Sequence, residues 1–222
     1  MNPRSTPPHP RPRQRRQEIL EQATQLFAER GYEGLSMADL AERVGLRKAS
    51  LFHHFASKEV IYVEVLGRIL EAVKEAIVRS AALPGSFQER QEALADAMVI
   101  VLGEHPYAAR LLVREVMDWG PVLRDNLAEK VMFLLDAGEK FVRAGQADGA
   151  FVEMDPKQLI LTFTGIYFMP FVLGEIVNRF AGVEPSSPTF VEARREAVRI
   201  HAGRLLFTGG VPAARRRQPP QP

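Results

Sequence analysis

No cysteine occurs anywhere in the chain, which removes disulfide staples, thiolate zinc sites and cysteine nucleophiles at once. Also missing are a glycine-rich phosphate loop, a nucleophile elbow and any histidine with a spaced carboxylate partner. His9, His105 and His201 stand alone, so no catalytic residue, metal ligand or cofactor is expected and the chain is not read as an enzyme. Long apolar runs are scarce as well. The nearest to one is "LILTFTGIYFMPFVLG", residues 159 to 174, sixteen residues without a charge but with two glycines and a proline. That is short of the roughly 20 needed to span a bilayer, and it fits a helix in a core or a subunit interface better. The opening "MNPRSTPPHPRPRQRR" lacks the apolar centre of a secretory signal, and its prolines argue against an organellar transit helix. A cytoplasmic protein with no membrane partner is expected.

What the chain does have is enough apolar material, 46% of 222 residues, to bury a core without metals or bridges. Its net charge of +2 hides an asymmetry. Residues 1 to 16 hold five arginines and no acid, and residues 212 to 222 hold three arginines and no acid; setting these eight aside takes the balance from +2 to −6. Basic ends on an acidic body point to a polyanion partner met locally rather than over the whole surface. Residues 1 to 14 and 209 to 222 read as disordered basic tails, which either grip phosphates or are merely solvated.

Apolar periodicity of helical type runs through the chain, and no segment alternates at period two, so the fold class is all-α. Ile19, Leu20, Ala23, Leu26 and Phe27 recur from Arg15 until Gly31 stops the helix. Ser36, with Asp39 three residues on, opens a second helix that turns Met37, Leu40, Ala41 and Val44 inward. Gly45 makes a tight turn. A third helix spans about Lys48 to Phe55, and Ser57 caps a longer fourth. Further helices are expected over 87 to 103, 107 to 119 and Pro121 to Gly145. The pairs Asp155–Pro156 and Ser187–Pro188 start the last two.

From Arg47 to Lys58 the chain carries basic and imidazole groups and no carboxylate. A supporting helix, a glycine turn and a short basic helix form the helix-turn-helix arrangement, whose second helix enters the major groove. Leu51 and Phe55 fall on one side of that helix. Ala49, Ser50, Phe52 and His53 spread over the other, where base edges and thymine methyls would meet them. Lys48 reaches guanine edges or phosphate. Ser36 either binds a phosphate oxygen or only caps its helix, and Lys58 is a second clamp or a solvated lysine. His53 and His54 diverge by about 100° on a helix, so they do not share a metal; His54 packs partly at the helix end.

The stretch "ILEQATQLFAERGYEGLSMADLAERVGLRKASLFHHFASKEVIYVEVL" resembles the N-terminal domain of the tetracycline-repressor (TetR) family of bacterial transcriptional regulators. The resemblance covers residues 16 to 62 and lies in a first helix ending in phenylalanine and glycine, a serine-capped second helix, and a recognition helix followed by "FASKE". It implies a DNA-binding domain over 15 to 61 and a helical regulatory and dimerisation domain over 62 to 208. The chain departs from the pattern twice: Arg47 stands where a small hydroxyl cap is common, and Phe52 where a tyrosine hydroxyl often meets a phosphate. Both departures bear on which operator is read rather than on binding itself.

A single short recognition helix contacts few bases, so a homodimer on an inverted repeat of double-stranded DNA is expected. The resemblance implies a four-helix interface from the last two helices; Gly165 and Gly174 would permit close approach, and Phe171, Phe190 and Leu205 supply apolar area, unless these are core. The middle helices would hold a small-molecule inducer. In "PYAARLLVREVMDWG", Glu115 falls within the apolar arc of Ala108, Leu111, Leu112, Val116 and Trp119. It is either a ligand contact or a buried ion-pair or capping group. Tyr107, Phe163 and Tyr167 are candidates to line an apolar pocket beside it.

Overall fold

The computed structural model describes residues 12–207. Among them the only non-helical pairing is an isolated bridge between Phe151 and Phe207, so the fold is all-α. The tail arginines Arg4, Arg11 and Arg215 to Arg217 lie outside the described residues. Two compact units divide after Arg68.

The first unit holds α1 (Pro12–Arg30), α2 (Met37–Arg43), α3 (Lys48–His54) and the start of α4 (Lys58–Ala81). Ile19, Leu20, Ala23, Leu26 and Phe27 of α1 are buried, as are Leu40, Leu51, Phe55 and Ile61. Tyr62 packs edge-on to Phe27, ring centroids 4.8 Å apart. Helix α1 begins at Pro12, three residues before the expected start at Arg15, so Pro12 to Gln14 belong to it and not to a disordered tail. Arg15 pairs with Glu18 at 2.8 Å and donates to the Val44 carbonyl. Arg16 pairs with Glu64 and lies 4.3 Å from the Phe55 ring centroid. Their stems continue the inward stripe of α1, so their charged heads reach partners on the neighbouring helices.

Local chemistry fixes α2 and α3. The Ser36 hydroxyl accepts from the Asp39 amide at 3.2 Å while the Asp39 carboxylate accepts from the Ser36 amide at 2.9 Å, a reciprocal capping box. At the other end Gly45 has φ +64. Its amide donates to Glu42 and the Leu46 amide to Ala41, at 3.0 and 2.8 Å, the paired bonds of a Schellman stop. The chain leaves α2 and enters α3 within four residues. Ser57 then accepts from the Val60 amide at 3.2 Å and starts α4.

The second unit contains the rest of α4, then α5 (Phe87–Glu104), α6 (Pro106–Asp118), a π-helical turn (Leu123–Leu127), α7 (Ala128–Ala147), α8 (Pro156–Val172), α9 (Gly174–Ala181) and α10 (Pro188–Leu206). Helix α5 lies along α10, and α6 and α7 pack on α8. Asp96 of α5 receives Arg195 at 2.7 Å and Arg199 at 3.4 Å from α10, which sets register more than it adds energy at this exposure. Phe151 is buried among Phe87, Phe141 and Phe207, with centroids 5.2 to 5.7 Å from it.

Two expectations are revised. The helix expected from Pro121 to Gly145 is divided by the π-helical turn, and its regular part runs to Ala147. The apolar run after Asp155 is also divided: α8 and α9 meet at 77°. Pro170 has no amide to continue the helical ladder, and Gly174 leaves it with φ +22. No single helix among the described residues is long and apolar enough to cross a membrane.

Candidate nucleic-acid interface and internal cavity

Helix α3 is anchored by Leu51 and Phe55, 0% and 2% exposed, and this decides what its other face presents. Arg47, Lys48, Ala49, Phe52 and His53 are exposed; Ser50 and His54 are half-buried. Arg47 occupies the cap position of α3 without a side-chain capping bond, so its guanidinium is not spent on the helix end. Ser36 is exposed, with its hydroxyl engaged in the capping box. The Asp39 carboxyl that completes the box is held below its ordinary value, first by the Ser36 hydroxyl and then by its amide. Lys58 is half-buried: its ammonium donates to the Tyr32 carbonyl at 2.8 Å and lies 4.2 Å from the Tyr32 ring centroid. That leaves N–H groups of the ammonium uncommitted.

The second unit holds a cavity of about 340 Å³, partly open to solvent, between α4, α5, α6, α7, α8 and Leu206 of α10. Its wall is aliphatic and aromatic and carries no charged side chain. Phe163 and Tyr167, both expected at a pocket, are on it. Glu115, Trp119 and Tyr107 are not among its lining residues. Glu115 instead accepts from the Leu123 amide at 3.1 Å, capping the π-helical turn, which is the structural alternative the sequence left open. Trp119 ends α6 with a left-handed backbone, φ +46, and is 59% exposed. Tyr107 is 45% exposed beside Arg110.

Leu70, Val73 and Ile77 of α4 and Gln91 of α5 are wall residues that the sequence reading missed. Gln91 had a detectable signal: it sits four residues after Phe87 and four before Ala95, inside the inward stripe of α5. Burial pushes the Tyr167 phenol well above its usual pKa, with the neighbouring Gln91 opposing the shift. The phenol therefore stays neutral.

The five residues expected at a subunit interface separate. Phe171 is 2% exposed, edge-on to Phe190 at 6.0 Å. It is core of this chain, the alternative the sequence left open, and offers a partner no surface, because its ring lies against Phe190 and beside Gly103. Phe190 and Gly174 are half-buried, while Gly165 and Leu205 face outward.

Residues 19–65 match the profile of "Bacterial regulatory proteins, tetR family", and residues 88–199 match "Tetracyclin repressor-like, C-terminal domain", which alone spans half the chain. The chain belongs to the TetR family. Similar family members include the HTH-type transcriptional regulator RutR of Escherichia coli K12, 28% identical over 149 residues, covering 64% of this chain and 66% of RutR. The alignment thus spans just under two thirds of that relative. The HTH-type transcriptional repressor KstR2 of Mycolicibacterium smegmatis is 30% identical over 148 residues, 63% of this chain and 69% of the relative. Among solved structures, AibR in complex with isovaleryl coenzyme A and operator DNA shares the fold, with a TM-score of 0.65 at 19% identity over 83% of this chain and 96% of AibR. The matched N-terminal stretch, residues 19–65, takes in α2 and α3.

Proposed function

We propose that this protein is a dimeric, sequence-specific DNA-binding regulator of transcription in the cytoplasm, a repressor that a small hydrophobic or amphipathic molecule releases from its operator. The observation that carries the reading is the outer face of α3, where Arg47, Lys48, Ala49, Phe52 and His53 are exposed and no carboxylate intervenes before Lys58. In this reading residues 15 to 61 bind DNA. Lys48, Ala49 and Ser50 meet base edges, while Arg47, His53 and His54 add groove or phosphate contacts. Phe52 offers apolar contact to a thymine methyl in place of a phenolic hydrogen bond. Ser36 and Lys58 hold the frame and keep capacity for a phosphate oxygen.

Residues 62 to 208 would dimerise and sense. Helix α8 and its cap expose Leu161, which also lines the cavity, Gly165, Met169 and Leu173 at four-residue spacing. With Leu205 of α10 this is the apolar surface a second copy would cover, spacing two recognition helices for half-sites about 34–36 Å apart. The cavity is the sensing site. AibR, on the same fold, was solved with both a small ligand and operator DNA, which supports a linked pair of sites here. Release requires only that the ligand prefer the arrangement that binds DNA poorly.

The test is a random-site selection with purified protein, followed by titration of the enriched site at two salt concentrations. An inverted repeat should emerge, and Lys48→Ala should weaken its binding by about tenfold or more without unfolding the protein. Binding that falls with salt and shows no sequence preference would overturn groove reading by α3.

A further inference from the structure

We propose that the cavity takes the apolar body of an amphipathic molecule whose anionic head, a carboxylate or phosphate, stays outside it and is held by Arg110 and Arg114 of α6. This rests on the ligand-sensing reading above and narrows it to a charge class and a direction of binding.

The wall decides where a charge can be. Val113, Val116 and Met117 of α6 line the cavity together with apolar groups of the neighbouring helices, and no charged side chain joins them. A carboxylate or phosphate drawn inside would lose its hydration and gain no counter-charge. An ionised ligand therefore leaves its head at the opening. Lining residues that also reach solvent mark that opening: Met117 is 79% exposed and Leu161 is 61% exposed.

Beside Met117 stand two cations. At 3.6 residues per turn Tyr107, Arg110, Arg114 and Met117 fall within an arc of about 80° and form one stripe about 15 Å long on α6. Arg114 is exposed and precedes Met117 by three residues, which makes the two neighbours on the helix surface. Arg110, one turn earlier, is half-buried, and one of its terminal nitrogens would lie 3.7 Å from a Cβ placed on Gly174, just past the end of α8. The two arginines thus follow the seam where α6 packs along α8, from the elbow after α8 to the exposed edge of the cavity wall.

Their lack of counter-ions sets them apart. Arg124, Arg143, Arg179 and Arg195 of the same unit each have a carboxylate partner at 2.7 to 2.8 Å. Arg110 and Arg114 have none among the described residues; Arg110 has the Tyr107 ring, centroid 5.5 Å away. Asp118, four residues past Arg114, is exposed and pairs with neither. Both guanidinium forks are left to take the oxygens of a carboxylate or phosphate.

The experiment titrates the full chain by calorimetry with three probes that share one hydrocarbon chain: decanol, decanoate and decyl phosphate, each below its micelle concentration. In the wild type both anions should bind about fivefold or more tightly than decanol, and added salt should narrow that gap. In the double variant Arg110→Gln/Arg114→Gln the gap should close while the affinity for decanol stays as it was, because neither side chain lines the cavity. Anions that bind no tighter than decanol, a gap that survives in the double variant, or a double variant that loses its dimer in sedimentation would each overturn the assignment to these arginines while leaving ligand sensing intact. If none of the three probes binds, the cavity is not a site for such molecules, and the sensing reading falls along with this one.

Discussion

Gly45 shows how much a single residue can be asked to do. Its backbone is left-handed at φ +64, and a Cβ built on it would meet nothing within 4 Å. Gly45→Ala therefore carries a conformational cost alone, about 1 kcal/mol. The urea midpoint should move down by that amount divided by the slope, with the slope itself unchanged; no shift would mean that the turn relaxes at no cost. Gly45 and Lys48 were legible in the sequence because turn glycines and N-terminal helix positions are set by their immediate neighbours. The polar group inside an apolar stripe was legible in kind but not in place. Glu115 attracted attention on that ground and caps Leu123, whereas Gln91, marked by the same pattern on α5, stands on the cavity wall. Periodicity tells that a polar residue points inward; it does not tell what waits there.

At the scale of elements, capping chemistry decided the outcome. Ser36, Ser86, Asp155 and Ser187 each accept a backbone amide at the start of their helices, and all but Ser86 were read as starts beforehand. Where no such punctuation exists, the reading failed. The uncharged run from Leu159 to Gly174 gave no polar signal for the break at Leu173, and α9 went unseen. The division of the helix after Pro121 was hidden for another reason: the partner of the Leu123 amide comes from the preceding helix, eight residues earlier. Glu115→Ala should lower stability by about 1 kcal/mol through loss of that cap, and Glu115→Gln, which keeps an acceptor, by less. Amide exchange at Leu123 reads this directly. Equal protection in all three proteins would remove Glu115 from the account of the π-helical turn.

For the whole molecule the decisive question is assembly. The exposed stripe of Leu161, Gly165, Met169 and Leu173 along α8 and its cap predicts that Met169→Arg, which places a charge on an exposed side chain off the cavity wall, leaves the fold intact. Sedimentation should then show a shift from dimer toward monomer, and the affinity for a full inverted repeat should drop toward that for a single half-site. A variant that stays dimeric at low protein concentration would place the interface elsewhere. Phe171→Ala should behave differently. As a core residue it should cost about 3–5 kcal/mol of stability in line with other buried phenylalanines, a loss that no interface role would predict.

What the sequence determined by itself is whatever is settled within a turn or two of chain: the all-α class, the capped starts, the glycine turn, and the carboxylate-free outer face of α3 between two buried anchors. Tertiary structure alone decided which apolar stripes became core, cavity wall or outer surface. Phe171, Phe163 and Met169 lie on one helix with the same spacing rules, yet one is core, one walls the cavity and one is exposed. The physical reason is that a helix sets the direction of each side chain, while what it meets in that direction is set by helices distant in sequence.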